Sequence, residues 1–263
     1  MSAPDTREWN AATYHRVSAP QFAWGQAVLD RLPLRGDETV LDVGCGTGRL
    51  TALVLGRLPH GRAVGVDLSA NMLATARREL SPDHRDRAAF VRASADVLPF
   101  AGSADAIFST ATFHWVLDHP RLFASLFRAL RPGGRLVAQC GGAGNLHRHH
   151  VRATALMSSP VFAPFYTGWR EPWEFADADT TRARLVAAGF VDVAARVTPA
   201  PVVLPDRAAF VEFVTNVVFR PHLAYLPDDA TRRAFVDALA DESAADPIPF
   251  ELDYRRLDFD GRR

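Results

Sequence analysis

The sequence predicts an α/β protein: a doubly wound, mostly parallel seven-stranded sheet with a last antiparallel strand and an inserted helical and aromatic cap. Three observations predict it. Strand-length apolar runs alternate with helix-length amphipathic runs from residue 21 to residue 139, the signature of strand–helix–strand crossovers. The first strand runs directly into a glycine-rich stretch, Gly44 to Gly48. The rhythm then breaks at residues 141–178, where four glycines, three prolines and a group of bulky aromatics take over. The 263 residues are read as one domain, with lid helices at 1–35, a ligand-binding core at 36–140 and cap insertions at 141–178 and 200–245.

Each element has a local reason. Residues 21–32 place Phe22, Val28, Leu29 and Leu32 on one helical face. Thr39 to Val43 is a buried strand, and Thr47 is placed to cap a helix running to about Leu58, stopped by Pro59 and Gly61. Ala63 to Val66 is the second strand, ending at Asp67, and Ser69 caps a helix over 70–80. Ala88 to Arg92 and Ala104 to Ser109 are the third and fourth strands, followed by a helix at 120–130. Arg131-Pro-Gly-Gly134 is a sharp turn before a fifth strand, Arg135 to Gln139. Beyond the irregular 141–178 segment come a helix at 180–188, a strand at 190–197 and helices at 206–219 and 229–241. The alternating apolar positions from Pro249 to Phe259, with one slip, make a last strand.

Composition excludes several functions. Lys+Arg and Asp+Glu both number 30, for zero net charge, which argues against a nucleic-acid partner. All the basic residues are arginine, because the chain contains no lysine. That removes Schiff-base, pyridoxal and P-loop lysine chemistry. The two cysteines, Cys45 and Cys140, cannot build a disulfide framework or a four-cysteine zinc site. Asp5, Arg7 and Glu8 near the start do not resemble a secretory signal, and no run of 18 apolar residues suggests a membrane span. The expectation is a soluble, cytoplasmic protein without a membrane partner.

The sharpest feature is Leu41-Asp-Val-Gly-Cys-Gly-Thr-Gly48. Glycines let a backbone turn tightly and approach a ligand, and the following helix offers free amides and a positive dipole end. A nicotinamide or flavin fingerprint wants Gly-x-Gly-x-x-Gly, but its third slot here is Arg49. Asp42 beside the turn would repel a pyrophosphate and attract an ammonium group, which points to a ligand with an amino-acid moiety. Asp67, 21 residues after Gly46, can accept hydrogen bonds from a ribose diol, or cap the next helix.

At these residues the sequence resembles the class I S-adenosylmethionine (SAM) dependent methyltransferases, a Rossmann-like family. The supporting set is LDVGCGTG at 41–48, GVDLSANMLATAR at 65–77, ADVLPF at 95–100, FHWVLD at 113–118 and LRPGGRL at 130–136. FHW–LD with LRPGG, together with the opening WNAATYHRVSAPQFAWG and the closing LDYRRLDF, looks most like the trans-aconitate methyltransferase group of small-molecule enzymes. The resemblance implies SAM as cofactor and S-adenosylhomocysteine as product. It places Gly44, Cys45 and Gly46 along the methionine part, with Asp42 on its amino group. It places Asp67 on the ribose, and Leu68 and Met72 around the adenine. Ser94, Ala95 and Asp96 fall at the adenine edge, although relatives often carry Gly-Asp-Ala where this chain has Ala93-Ser94-Ala95. Ser109 and Thr110 fall beside the sulfonium, and Tyr14, Gln21 and Trp24 look like a lid.

Acceptor chemistry centres on His114, at the carboxyl ends of the strands where open α/β sheets bind ligands. It can act as a base, hold a carboxylate as imidazolium, or bond a loop carbonyl structurally. Trp115, Phe162, Phe165, Tyr166, Trp169 and Trp173 are candidates to line an acceptor pocket, since aromatic rings enclose small organic molecules and exclude water; they would serve equally as the core of a cap. Arg152, Arg170 and Arg220 are candidate carboxylate clamps. His147 and His150 share a helical face but lack a neighbouring acid ligand, so no metal is expected. The function expected is methyl transfer to a small organic acceptor, with a carboxylate oxygen as one candidate. The alternatives are methylation of nitrogen or carbon in a natural-product intermediate, a SAM-binding partner without catalysis, and a nicotinamide oxidoreductase.

Overall fold

The computed structural model describes residues 8, 9, 11, 16, 18–80 and 82–263. Its main sheet has seven strands: β1 (Thr39–Val43), β2 (Arg62–Asp67), β3 (Ala88–Arg92), β4 (Ala104–Thr110), β5 (Leu130–Gly141), β6 (Val191–Pro199) and β9 (Arg255–Arg262). Their order is β3-β2-β1-β4-β5-β9-β6. β9 runs antiparallel to both β5 and β6, and the remaining pairs are parallel. A separate ribbon pairs β7 (Val202–Val203) with β8 (Glu251–Leu252).

Apolar side chains on both sheet faces explain the layers. On one face α1 (Ala19–Asp30) and α2 (Arg49–Gly56) bury Val28, Leu29, Val54 and Leu55 with Val40, Ala106 and Phe108. On the other, α4 (His119–Ala129) and α6 (Ala178–Ala187) bury Leu122, Phe123, Leu126 and Leu185 with Leu41, Ile107 and Phe259. Ser69 caps α3 (Ala70–Glu79) through the Met72 amide at 3.2 Å. A third apolar cluster forms the cap from α5 (His147–Met157), α7 (Arg207–Phe213), α8 (Arg220–Leu223) and α9 (Asp229–Ala244). No described helix is long and apolar enough to cross a membrane.

Four local expectations change. Gly48, in the left-handed region, stands at the N-cap of α2 in place of Thr47. The Arg131–Gly134 turn lies inside β5 as a bulge, where pairing jumps from Ala104–Leu130 to Ala106–Arg135. The expected helix at 206–219 is split, because a π-turn at Val214–Val218 separates α7 from α8, whose first turn holds Pro221. The slip in the tail is a change of sheet: left-handed Phe250 (φ 58°) leads into β8, and the long strand starts only at Arg255.

Candidate active site

The strand order reverses beside β1. The chain builds outward through β2 and β3, then returns to β4 on the other side. The carboxyl ends of β1 and β4 therefore diverge, leaving the crevice where such sheets bind ligands. The glycine turn fills the β1 side. Gly44 and Cys45 both donate to the Val66 carbonyl, at 2.7 and 3.0 Å. A Cβ on Gly44 would stand 1.9 Å from the Thr112 hydroxyl, so this glycine is required by packing as well as by its φ of 79°. A Cβ on Gly46 (φ 53°) would meet nothing within 4 Å. The Gly46 amide donates to Asp67 Oδ2 at 2.9 Å and the Ser69 amide to Oδ1 at 2.9 Å. Asp67 thus ties the turn to α3, and each of its oxygens keeps a lone pair for a ligand. Burial raises its pKa above the usual carboxylate range.

A cleft of about 510 Å³ opens here, within the size range of small-molecule sites. Gly44, Gly46, Asp67, Leu68, Met72, Ser94, Ala95 and Asp96 all line it, with Thr110, Thr112 and Trp115 on the β4 side. At one wall Ser94 donates to Asp96, and Arg121 lies 3.4 Å from the Asp96 carboxylate. Glu8 accepts from the Ala70 and Asn71 amides, at 3.1 and 3.3 Å, at the start of α3. The adjoining Trp9 packs edge-on against Trp115, with centroids 5.6 Å apart. These residues fit the adenosyl ligand that the sequence implies: paired acceptors for a diol, an apolar wall for a ring and an open glycine turn.

Other candidates lie elsewhere. Asp42 is 2% exposed and accepts from Thr51 on α2 at 2.5 Å, away from the cleft wall. Strand alternation sends Val40 and Asp42 to the α1–α2 face, opposite Leu41 and Val43. Burial there raises the Asp42 pKa to about 7. Cys45 packs towards Gly65, whose Cβ would lie 2.9 Å from its sulfur, and burial pushes its thiol well up. Ser109 is buried and donates to the Val43 carbonyl at 2.7 Å. Tyr14 lies outside the described residues.

A second, inner cavity of about 50 Å³ shares Trp9, Ala111 and Trp115 with the cleft. His114 and Trp173 line it, and so does Gln21, expected over the cofactor. Phe162, Phe165, Tyr166 and Trp169 do not line it but pack in the cap cluster. Phe162 sits edge-on to Phe235 at 5.2 Å, and the Tyr166 hydroxyl donates to the His222 carbonyl at 3.1 Å. Trp24 packs edge-on to Tyr254 at 5.1 Å. His114 Nδ1 accepts the Gly141 amide hydrogen at 3.3 Å, so Nε2 carries the ring proton. Burial, then the charge of Arg256, holds its pKa well below the usual imidazole value. With Nδ1 so occupied, the neutral ring presents Nε2 as a donor.

Arg256 is the wall residue that the sequence did not single out. It is 3% exposed, its Nε donates to Gln139 Oε1 at 3.3 Å, and its guanidinium covers Trp24 at 4.6 Å. Gln139 in turn donates to Asp258 at 2.9 Å, and Arg31 pairs with Asp258 at 2.9 Å. Of the expected clamps, Arg152 pairs with Asp246 and Glu242, Arg170 is exposed, and the Arg220 guanidinium covers Trp9, a wall residue of both cleft and inner cavity. Of the histidine run, His149 bonds the Glu251 carbonyl at 2.8 Å and His150 lines the inner cavity. Among the described residues no group of three or more His, Cys, Asp or Glu is placed to hold a metal ion.

A family model described as "Methyltransferase domain" matches residues 41–138. The trans-aconitate 2-methyltransferase of Deinococcus radiodurans is 32% identical over 238 residues, 87% of each chain. That of Variovorax paradoxus is 33% identical over 233 residues, 84% of each chain. Among solved structures, Haemonchus contortus phosphoethanolamine N-methyltransferase 2, bound to phosphomonomethylethanolamine and S-adenosylhomocysteine, superposes with a TM-score of 0.61 at 18% identity. The match covers 96% of this chain and 56% of that one, and it speaks to the fold alone.

Proposed function

The chain belongs to the trans-aconitate 2-methyltransferase family and is a SAM-dependent methyltransferase; from that premise we propose that it methylates a carboxylate oxygen of a small organic acid held in the inner cavity. The observation that carries this reading is Arg256, a buried guanidinium in a wall whose other polar groups are neutral. Guanidinium and carboxylate match in charge and in fork geometry.

SAM supplies an electrophilic methyl group on a sulfonium. The rest falls to this chain's residues. Asp67 holds the ribose hydroxyls, Leu68 and Met72 flank the adenine, and Asp96 with Ser94 receives its edge. Gly44 and Gly46 admit the methionine part, and Trp115 and Ala111 form the border between cleft and inner cavity. Arg256 positions the acceptor, His114 donates from Nε2 to an acceptor oxygen, and Trp9, Trp115 and Trp173 keep water out. Proximity and a desolvated nucleophile supply the acceleration. A carboxylic acid, with a pKa of about 4, arrives ionised and needs no general base. The site matches that requirement, since His114 Nδ1 is occupied and burial lowers His150 to about 4.

The test uses methyl-labelled SAM with trans-aconitate, shorter mono- and dicarboxylates, phenols and amines. Label in a base-labile methyl ester, released as methanol, supports the reading. Label only in base-stable products overturns it.

A further inference from the structure

The carboxyl end of β5 touches both residues assigned to the acceptor. Gly141 donates its amide hydrogen to His114 Nδ1 at 3.3 Å. Two residues earlier, Gln139 Oε1 accepts from Arg256 Nε at 3.3 Å. Strand register explains the second contact. Gln139 stands opposite Asp258, and Gly141 opposite Arg256, in the antiparallel pair of β5 and β9. Gln139 and Arg256 are therefore diagonal neighbours on one face, within reach of long side chains. Gln139, Arg256 and Asp258 are all buried. The Gln139 amide has a single orientation, because the Asp258 carboxylate only accepts and a guanidinium only donates. Its Nε2 donates to Asp258 at 2.9 Å, and its Oε1 receives Arg256. Asp258 is held in turn by Arg31 at 2.9 Å, with Arg196 3.9 Å away. Arg31 also donates to the Ala138 carbonyl at 3.2 Å.

We propose that Gln139 is a positioning residue for methyl transfer: by holding Arg256 at Nε it sets where the acceptor carboxylate is bound. The inference rests on the carboxylate reading above and deepens it. An arginine side chain has many rotamers to lose on binding a ligand, and a bond made beforehand removes part of that cost. Nε belongs to the rigid guanidinium plane, so a bond there orients the whole group. The chemical nature of the partner matters as well. A carboxylate at position 139 would form an ion pair with Arg256 and compete with an anionic acceptor. Gln139 is a neutral amide, and the carboxylate of the network stands one hydrogen bond further away, on Asp258 beside Arg31. Gln139 thus passes on orientation without bringing a negative charge to the Arg256 Nε.

The experiment follows methyl-ester formation from methyl-labelled SAM, with whichever of trans-aconitate and the shorter mono- and dicarboxylates is esterified fastest. The wild type, Gln139→Met, Gln139→Glu, Arg256→Met and the Gln139→Met/Arg256→Met double variant are compared, with thermal melting as a check on folding. Methionine keeps roughly the length of glutamine and removes the amide; glutamate keeps the accepting oxygen and adds a charge. Gln139→Met and Gln139→Glu should each raise the acceptor KM about tenfold or more, the scale of a disturbed hydrogen bond to a charged group. Their kcat should fall by less than KM rises, and calorimetry should find SAM affinity within about twofold of wild type. In the Arg256→Met background, Gln139→Met should change kcat/KM by about twofold or less, because its effect runs through Arg256. A purely structural role would give the same loss in both backgrounds, and that result overturns the proposal. So does an acceptor KM within about twofold of wild type in the Gln139 variants. The two readings fail separately. A raised KM in Arg256→Met without one in the Gln139 variants removes this inference alone. An unchanged KM in Arg256→Met, or no ester from any carboxylate, removes the carboxylate reading and this inference with it.

Discussion

The Gly141 amide hydrogen rests on His114 Nδ1 at 3.3 Å, and this one bond fixes what His114 can do. With Nδ1 occupied and the ring stacked on Phe175 at 5.6 Å, Nε2 is a donor held in a set direction. His114→Phe is expected to lower kcat about tenfold or more, the scale of a lost positioning hydrogen bond. His114→Gln restores part of the loss, because an amide can donate. The affinity for SAM should stay within about twofold in both, since His114 lines the inner cavity and not the cleft. The wild-type kcat profile should show no limb from an imidazole near pH 6.5. Such a limb, abolished in His114→Gln, would return His114 to the role of general base.

Asp67 joins two loops while facing the cleft. Its carboxylate accepts from Gly46 and Ser69, both at 2.9 Å. Asp67→Ala should weaken SAM binding by about 1–3 kcal/mol, the value of hydrogen bonds to a charged group. Asp67→Asn keeps one acceptor oxygen and should lose less. Titration calorimetry separates the variants, and unchanged affinity in Asp67→Ala would remove the ribose assignment.

The glycines of the turn make a contrasting pair. Gly46→Ala meets no atom within 4 Å, so its cost is the left-handed backbone alone, about 1–2 kcal/mol. Gly44→Ala carries the same backbone strain and also drives a methyl into Thr112, where the first contact would be 1.9 Å. Overpacking adds about 1–3 kcal/mol. Denaturant unfolding should therefore rank Gly44→Ala as clearly more destabilised. Thr112→Ala in that background should recover only part of the loss, because the Thr112 Cβ itself would lie 2.6 Å away.

What the sequence made legible was local. The order of strands and helices, the Ser69 cap and the placement of Gly44, Gly46 and Asp67 follow from residues within about one strand–helix unit. Asp42 shows the limit of motif reading. The motif names the residue, but the two-residue period of β1 decides which face it joins, and that face belongs to Thr51. The cap aromatics were recognisable as a group, yet nothing local separates Trp173, on the cavity, from Phe162, in the cap cluster. Arg256 was out of reach for a different reason. It lies among 30 arginines, and only the pairing of β9 with β5 brings it opposite Gly141, beside the His114 loop.

Acid sensitivity follows from the buried imidazoles. Burial lowers His150 to about 4 and His222 to about 3, and it also lowers His114, His119 and His149. Each of these groups binds its proton more readily in the unfolded chain, whose imidazoles titrate near about 6.5. The stability tied to them is fully present above about pH 6.5 and is lost as pH falls towards the folded values. Three carboxyls, Asp42, Asp67 and Glu171, are raised instead and act in the opposite sense. Five lowered imidazoles outnumber them, so the melting temperature should fall between pH 7 and pH 5. His222 offers the cleanest test. Its Nδ1 has no hydrogen-bond partner, and its ring packs on Trp169 at 4.5 Å and Phe219 at 5.0 Å. A phenyl ring keeps that packing and cannot take up a proton. His222→Phe should therefore melt higher than wild type at pH 5, differ less at pH 7.5, and lower the proton uptake on unfolding by about one near pH 5. An unchanged pH slope would mean that His222 is protonated in the folded protein.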